Sequence, residues 1–189
     1  LWMGTFHSVF ARILRAEAHH LGYPNSFTIY DTDDSKTLVK NIVKEMGLDD
    51  AAYKPSTVFN RISAAKNSLI SWQDYQTNAE LMGDDAANLR PEIAKIYKAY
   101  ALRCYKAGAM DFDDLLFNTD KLFKEHLEVL NKYQHRIRYV LVDEFQDTNL
   151  CQYFIIRKLA AVRQNVCVVG DDAQSIYAFR GADITNILN

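Results

Sequence analysis

Two acidic clusters each close a short apolar run. Tyr139-Val140-Leu141-Val142 leads into Asp143-Glu144, and Val166-Cys167-Val168-Val169 leads into Gly170-Asp171-Asp172. Val-rich runs of this length with polar flanks read as buried parallel strands, and the helical stretch between them, Leu150 to Ala161, makes a βαβ unit. Ligands of parallel sheets sit just beyond the carboxyl ends of the strands, so these carboxylates stand where a site would form. Two acidic strand ends side by side repel each other unless a cation lies between them. Mg²⁺ held together with nucleotide phosphates is one answer, because it takes one or two carboxylates and keeps its waters. The competing reading of an isolated Asp-Glu pair is a plain helix cap. Gln146 and Gln174 follow the two clusters as uncharged groups able to donate and accept. Tyr177 and Phe179 stand three and five residues after Gln174, and such rings serve either as stacking platforms for bases or as local packing.

The elements that must position these residues follow from apolar periodicity. Thr5-Phe6-His7-Ser8 offers cap hydroxyls to a helix carrying Val9, Phe10, Ile13 and Leu14, ending near Gly22 and Pro24. Beyond the apolar stretch Phe27–Tyr30, Asp31 to Asp34 supply caps and negative charge to a helix with Leu38, Val39, Ile42, Val43 and Met46, closed by Gly47. A third helix follows Pro55, with Val58, Ile62, Ala65 and Leu69 on one face. A fourth runs from about Leu89 through Ile93, Ile96, Tyr100 and Cys104 to Gly108. Asp111-Phe112-Asp113-Asp114 caps a further helix, Leu115 to about Lys124; read plainly, its acids complement the helix dipole. The expected organisation is therefore 1–25 and 109–189 as one α/β part, interrupted by a helical part over 26–108.

Four segments, in order along the chain, carry a family resemblance. Val142-Asp143-Glu144-Phe145-Gln146-Asp147-Thr148 and the stretch Val169–Ala182 resemble motifs II and III of the UvrD/Rep/PcrA group of superfamily 1 DNA helicases. Gly4-Thr5-Phe6-His7-Ser8 is similar to that group's motif Ib, and Asp111-Phe112-Asp113-Asp114-Leu115-Leu116 to its DFDDLL signature. The resemblance implies a partial parallel RecA-like P-loop NTPase sheet with an inserted all-helical subdomain. It also implies an ATP-dependent helicase that moves 3′ to 5′ on single-stranded DNA and opens single-strand/duplex junctions in repair or replication. By the same resemblance, Asp143 binds the Mg²⁺ of Mg-ATP, Glu144 orients and deprotonates the attacking water, and Gln146 and Gln174 read the water and the γ-phosphate. Thr5, His7, Tyr177, Phe179 and Arg180 correspond to DNA contacts, although Thr5 would equally serve as a helix cap with His7 solvated.

Some features depart from the family pattern. None of the seven glycines is followed by lysine, so no G-x-x-x-x-G-K-[ST] exists here, and nothing in the chain can cradle phosphates. Phe179 stands where many relatives carry Trp. The chain opens on Leu1 and stops within Ile184–Leu188, which reads as a piece of a longer protein with its P-loop upstream and its second RecA-like domain downstream. On that reading the chain alone does not hydrolyse ATP. Two alternatives remain open: the helicase part of a RecB/AddA-like helicase-nuclease, and a non-catalytic DNA-binding or interaction module.

Composition narrows the classes. Hydrophobic residues make up 49% and charged residues 24% of the 189, which excludes disorder and collagen-like repeats. No apolar run reaches the length of a spanning helix, so no membrane partner is expected, and a cytoplasmic, nucleoid-associated location in a bacterium is. The net charge of −2 hides −2 over residues 1–52, +3 over 53–110 and −3 over 111–189; the basic middle is weak support for a polyanion partner. Cys104, Cys151 and Cys167 have no CxxC spacing, so neither a disulfide framework nor a cysteine zinc site is expected. His19-His20 has no matching ligand set in the sequence and reads as surface.

Overall fold

The computed structural model describes residues 1–171. Its internal contacts divide the chain into two units, residues 1–25 with 115 onward, and residues 26–114.

The second unit is helical around a two-stranded sheet. Strand β1 (Thr28–Tyr30) leads into α2 (Thr32–Glu45), which follows α1 (Phe6–Glu17) of the first unit; α3 (Pro55–Asn67), α4 (Trp72–Thr77), α5 (Ala79–Ala87), α6 (Ile93–Lys106) and β2 (Ala109–Asp111) complete it. Local chemistry starts the helices from α2 to α5. Asp31 accepts from the backbone N–H groups of Asp33 and Asp34 to begin α2, Pro55 opens α3, and Ser71 with Asp74 forms a capping box for α4. The apolar faces of α2, α3 and α6 then close on one another: Val39, Ile42, Val43, Val58, Ile62, Ile96 and Tyr100 lose all exposure, each such side chain contributing about 1.5–3 kcal/mol by burial. The expectation of an all-helical unit is corrected here, because β1 and β2 pair in parallel, Thr28 with Ala109 and Tyr30 with Asp111. Ala109-Met110-Asp111 is too short to announce a strand by alternation. It is fixed by pairing with the equally short Thr28–Tyr30 and is buried throughout.

In the first unit, α1 is followed by a 3₁₀ turn (Ala18–Leu21), and the chain returns through α7 (Phe112–Glu125), α8 (Leu127–Arg136), β3 (Val140–Val142), a 3₁₀ turn (Phe145–Asp147), α9 (Leu150–Ala160) and β4 (Val166–Val168). The expected βαβ unit is present: β3 and β4 pair in parallel, Val140 with Val166 and Val142 with Val168, around α9. The expectation that both strands are fully buried is not met. Val142 is buried, but Leu141 is 76% exposed and β4 is exposed along its length. The reason is that β3 and β4 form a sheet of only two strands among the described residues, with Phe145 and Ile156 of the α9 side packed on Val142. Among the described residues no helix is long and apolar enough to cross a membrane.

Candidate functional site

The carboxyl end of β3 turns sharply. Glu144 adopts φ 47°, ψ 41°, the left-handed region that costs an L-residue about 1–2 kcal/mol, while Phe145 continues into the 3₁₀ turn and buries its ring beside Val142 and Ile156. That turn lifts the Asp143 and Glu144 side chains out to solvent and drops Gln146 inward until it is 1% exposed.

Buried amides must be satisfied at both ends, and Gln146 is. Its Nε2 donates to Glu144 Oε2 at 2.6 Å, and its Oε1 accepts from the Asp171 backbone N–H at 3.1 Å. The ladder continues into the same corner: Phe145 N–H donates to the Val169 carbonyl at 2.9 Å, and Val169 N–H to the Val142 carbonyl at 2.8 Å. One uncharged side chain therefore ties the Glu144 carboxylate to the end of β4. Thr148 donates its hydroxyl to the Phe145 carbonyl, and Asn149 forms a capping box with Gln152 to start α9, so the loop is anchored on its far side too. Asp147 contributes a buried Oδ1 with no hydrogen-bond partner among the described residues.

The donor set suits a hard cation that retains water. Among the described residues no cluster of three metal-ligating side chains includes Asp143 or Glu144, so protein atoms alone build no cage at this strand end. One exposed carboxylate beside a second is instead what Mg²⁺ accompanied by phosphate oxygens requires. Asp143 and Glu144 are the two exposed carboxylates at this strand end. Gln174, Tyr177, Phe179 and Arg180 lie outside the described residues.

Elsewhere in the first unit, Thr5 caps α1: its Oγ1 accepts from Ser8 N–H at 3.3 Å, and Ser8 Oγ donates to the Thr5 carbonyl at 2.8 Å. Gly4, at φ +148°, leads into that cap. A Cβ there would sit 2.3 Å from Ser8 Oγ, so the backbone path requires glycine. His7 is half-buried on the first turn of the same helix.

The DFDD segment does more than cap. Asp111 and Asp114 form a reciprocal box, Asp114 N–H to Asp111 Oδ1 at 2.8 Å and Asp111 N–H to Asp114 Oδ2 at 3.1 Å. Both also hold Lys66 of α3, whose Nζ lies 2.7 Å from an oxygen of each and is 3% exposed. Tyr100 donates to Asp111 at 2.7 Å. Burial drives the Lys66 ammonium toward neutrality, but the two carboxylates prevail and hold its pKa well above the usual lysine value. Burial and the Asp111 charge push Asp114 up to about 7. Sequence reasoning found the acids and missed their cation, since a lysine on an amphipathic helix gives no sign that it points inward.

A match to the family model for the UvrD/REP helicase N-terminal domain extends over residues 1–189. The chain belongs to that family. This UvrD/REP-family domain is 42% identical over its whole length to the ATP-dependent DNA helicase PcrA of Bacillus subtilis strain 168. It is 41% identical to the proteins of the same name from Staphylococcus epidermidis and Staphylococcus aureus. It spans about a quarter of the length of these curated relatives. The architecture accompanying the match is α/β, mostly helical with small parallel sheets.

Proposed function

We propose that this chain is the portion of an ATP-dependent DNA helicase that carries the water-activating carboxylate and part of the single-strand path. The observation that carries the reading is the Gln146 bridge, which fixes Glu144 at the carboxyl end of one parallel strand and ties it to the end of the next. In that role Glu144 is the general base that takes a proton from water, and Asp143 is the ligand for Mg²⁺. Mg²⁺ with bound ATP supplies the positive charge that a transferring phosphoryl group requires. Gln146 is a positioning residue: it holds Glu144 without adding a charge that would repel the phosphates. Gln174 completes the phosphate-facing set, and Tyr177, Phe179, Arg180, Thr5 and His7 form the DNA-facing one, with single-stranded DNA and its junctions as substrate. The sheet is read as part of a RecA-like core made of residues 1–25 and 109–189, and residues 26–108 as its inserted helical subdomain. The relatives' names favour a helicase over the helicase-nuclease and non-catalytic alternatives.

The test is DNA-stimulated ATP hydrolysis by the full-length protein that contains this chain. Glu144→Gln should leave Mg-ATP binding near normal and lower kcat by orders of magnitude, since it keeps the shape and removes the base. Gln146→Ala should lower kcat by roughly 10–100-fold, with KM for ATP little changed. Phe179→Ala should weaken oligo-dT binding by roughly 1–3 kcal/mol, the worth of one stacked base. Normal turnover in Glu144→Gln would refute the assignment of the base.

A further inference from the structure

The 3₁₀ turn after α1 and the junction between α7 and α8 both belong to the first unit, and they bring together side chains that the sequence keeps far apart. His19 and His20 stack at 4.3 Å between ring centroids, and His20 lies 4.9 Å from the ring of His126. His126 Nδ1 is 3.2 Å from Glu128 Oε1. Glu17 turns Oε2 toward His20 Nε2 at 3.7 Å, while its Oε1 accepts from Lys132 and, at 3.0 Å, from Tyr133. The expectation that His19-His20 has no ligand set is corrected in part: Glu17 lies just before the pair, and His126 and Glu128 reach His20 from beyond residue 125, while His19 is exposed as expected.

We propose that His20, His126 and Glu128 form a binding site for a first-row divalent transition metal, of which Zn²⁺ is representative. One ligand atom from each lies within 4.8 Å of the others. Two imidazoles and one carboxylate are the donors such ions take, with water completing a tetrahedron, whereas Mg²⁺ and Ca²⁺ prefer oxygen alone. Metal–ligand bonds of about 2.0–2.2 Å put tetrahedral ligand atoms roughly 3.3 Å apart. The His126–Glu128 pair already has that spacing. The remaining closure falls on side chains at the surface, His20 at 29%, His126 at 27% and Glu128 at 66% exposure. Glu17 is the outer carboxylate. It is already paired with Lys132, and its second oxygen lies 3.7 Å from His20 Nε2, a charge contact longer than a hydrogen bond. In the metal-free state a hydrogen bond joins His126 to Glu128; the ion replaces that proton between nitrogen and oxygen. The bound ion would fasten the turn at residues 18–21 to the start of α8, a structural role with no step in catalysis.

Isothermal titration of the untagged 189-residue chain with ZnCl₂ tests the site, with Co²⁺ absorption as a second reading. Saturable binding of a single ion per chain is expected, together with the visible bands of tetrahedral Co²⁺. His126→Ala and Glu128→Gln should each weaken binding at least about tenfold, while His135→Ala, a surface histidine outside the cluster, should leave it unchanged. Zn²⁺ should raise the Tm of the wild-type chain and not that of a His20→Ala/His126→Ala variant. Glu128→Gln, an exposed change in the first turn of α8, guards against loss of fold. Absence of saturable binding, or binding that survives both single substitutions in chains with wild-type circular dichroism, would overturn the proposal.

Discussion

The left-handed conformation of Glu144 can be weighed by comparing two substitutions that both remove its carboxylate. Glu144→Ala and Glu144→Gly lose the same hydrogen bond from Gln146, leaving one buried amide end unpaired at a cost of about 1–3 kcal/mol. They differ in the backbone. At φ 47° and ψ 41° alanine retains strain of about 1–2 kcal/mol, whereas glycine is free of it but gives back about 0.5–1 kcal/mol through its more flexible unfolded chain. The net advantage of glycine is then about 0–1.5 kcal/mol, and for a chain of this size each kcal/mol moves Tm by roughly 2–4 °C. Urea or thermal denaturation of the two variants, side by side, measures the difference. Elsewhere on a surface the order would be reversed, so a Glu144→Ala variant more stable than Glu144→Gly by that usual margin of about 0.5–1 kcal/mol would refute the claim that the strand end is held under strain. In the full-length protein both variants should be equally deficient in ATP hydrolysis.

Lys66→Met should destabilise the chain by about 3–5 kcal/mol, because it strands two buried carboxylates; urea denaturation reads it, and a loss below about 1 kcal/mol would contradict the buried pairing. Asp114 has a pKa raised to about 7, above its unfolded value of about 4. The folded chain therefore holds a proton that the unfolded chain has released between those limits, and stability should fall as pH rises from about 4 to 7. Asp114→Asn should remove that part of the slope, as denaturation across the window would show. The purified 189-residue chain, having no glycine-lysine phosphate loop, should show no DNA-stimulated ATP hydrolysis; turnover abolished by Glu144→Gln would contradict this.

Periodicity disclosed the long helices, because α2, α3 and α6 each carry a continuous apolar face; α2 and α3 also have a recognisable start, whereas α6 has no side-chain cap and begins at Ile93 rather than near Leu89. The short helices α4 and α5 escaped: six and nine residues present too few apolar positions for a stripe, although Ser71 with Asp74 caps the first and Asn78 the second. Helix α8 was missed because its apolar residues Leu127, Val129, Leu130 and Tyr133 are interleaved with charges. At the strand ends, residue type and position revealed Asp143 and Glu144. Nothing in the sequence revealed that Gln146 faces inward and joins Glu144 to Asp171, since that depends on the turn at Glu144. The same is true of Lys66 and of the histidine cluster. Long-range pairing between side chains leaves no local period to read.

The parallel pairing of Thr28–Tyr30 with Ala109–Asp111 brings the way into the second unit and the way out of it to neighbouring rungs of one ladder, about 4.8 Å apart. Because the pairing is parallel, the chain leaves the ladder after Tyr30 and re-enters it at Ala109, beside Thr28 at the other end, so the helices between them form one crossover. The helices between residues 32 and 106 can then lengthen, shorten or change their outer faces while the spacing of the two anchor strands stays fixed. Such a unit is a natural place for a protein to acquire new surface without redrawing the rest of its fold.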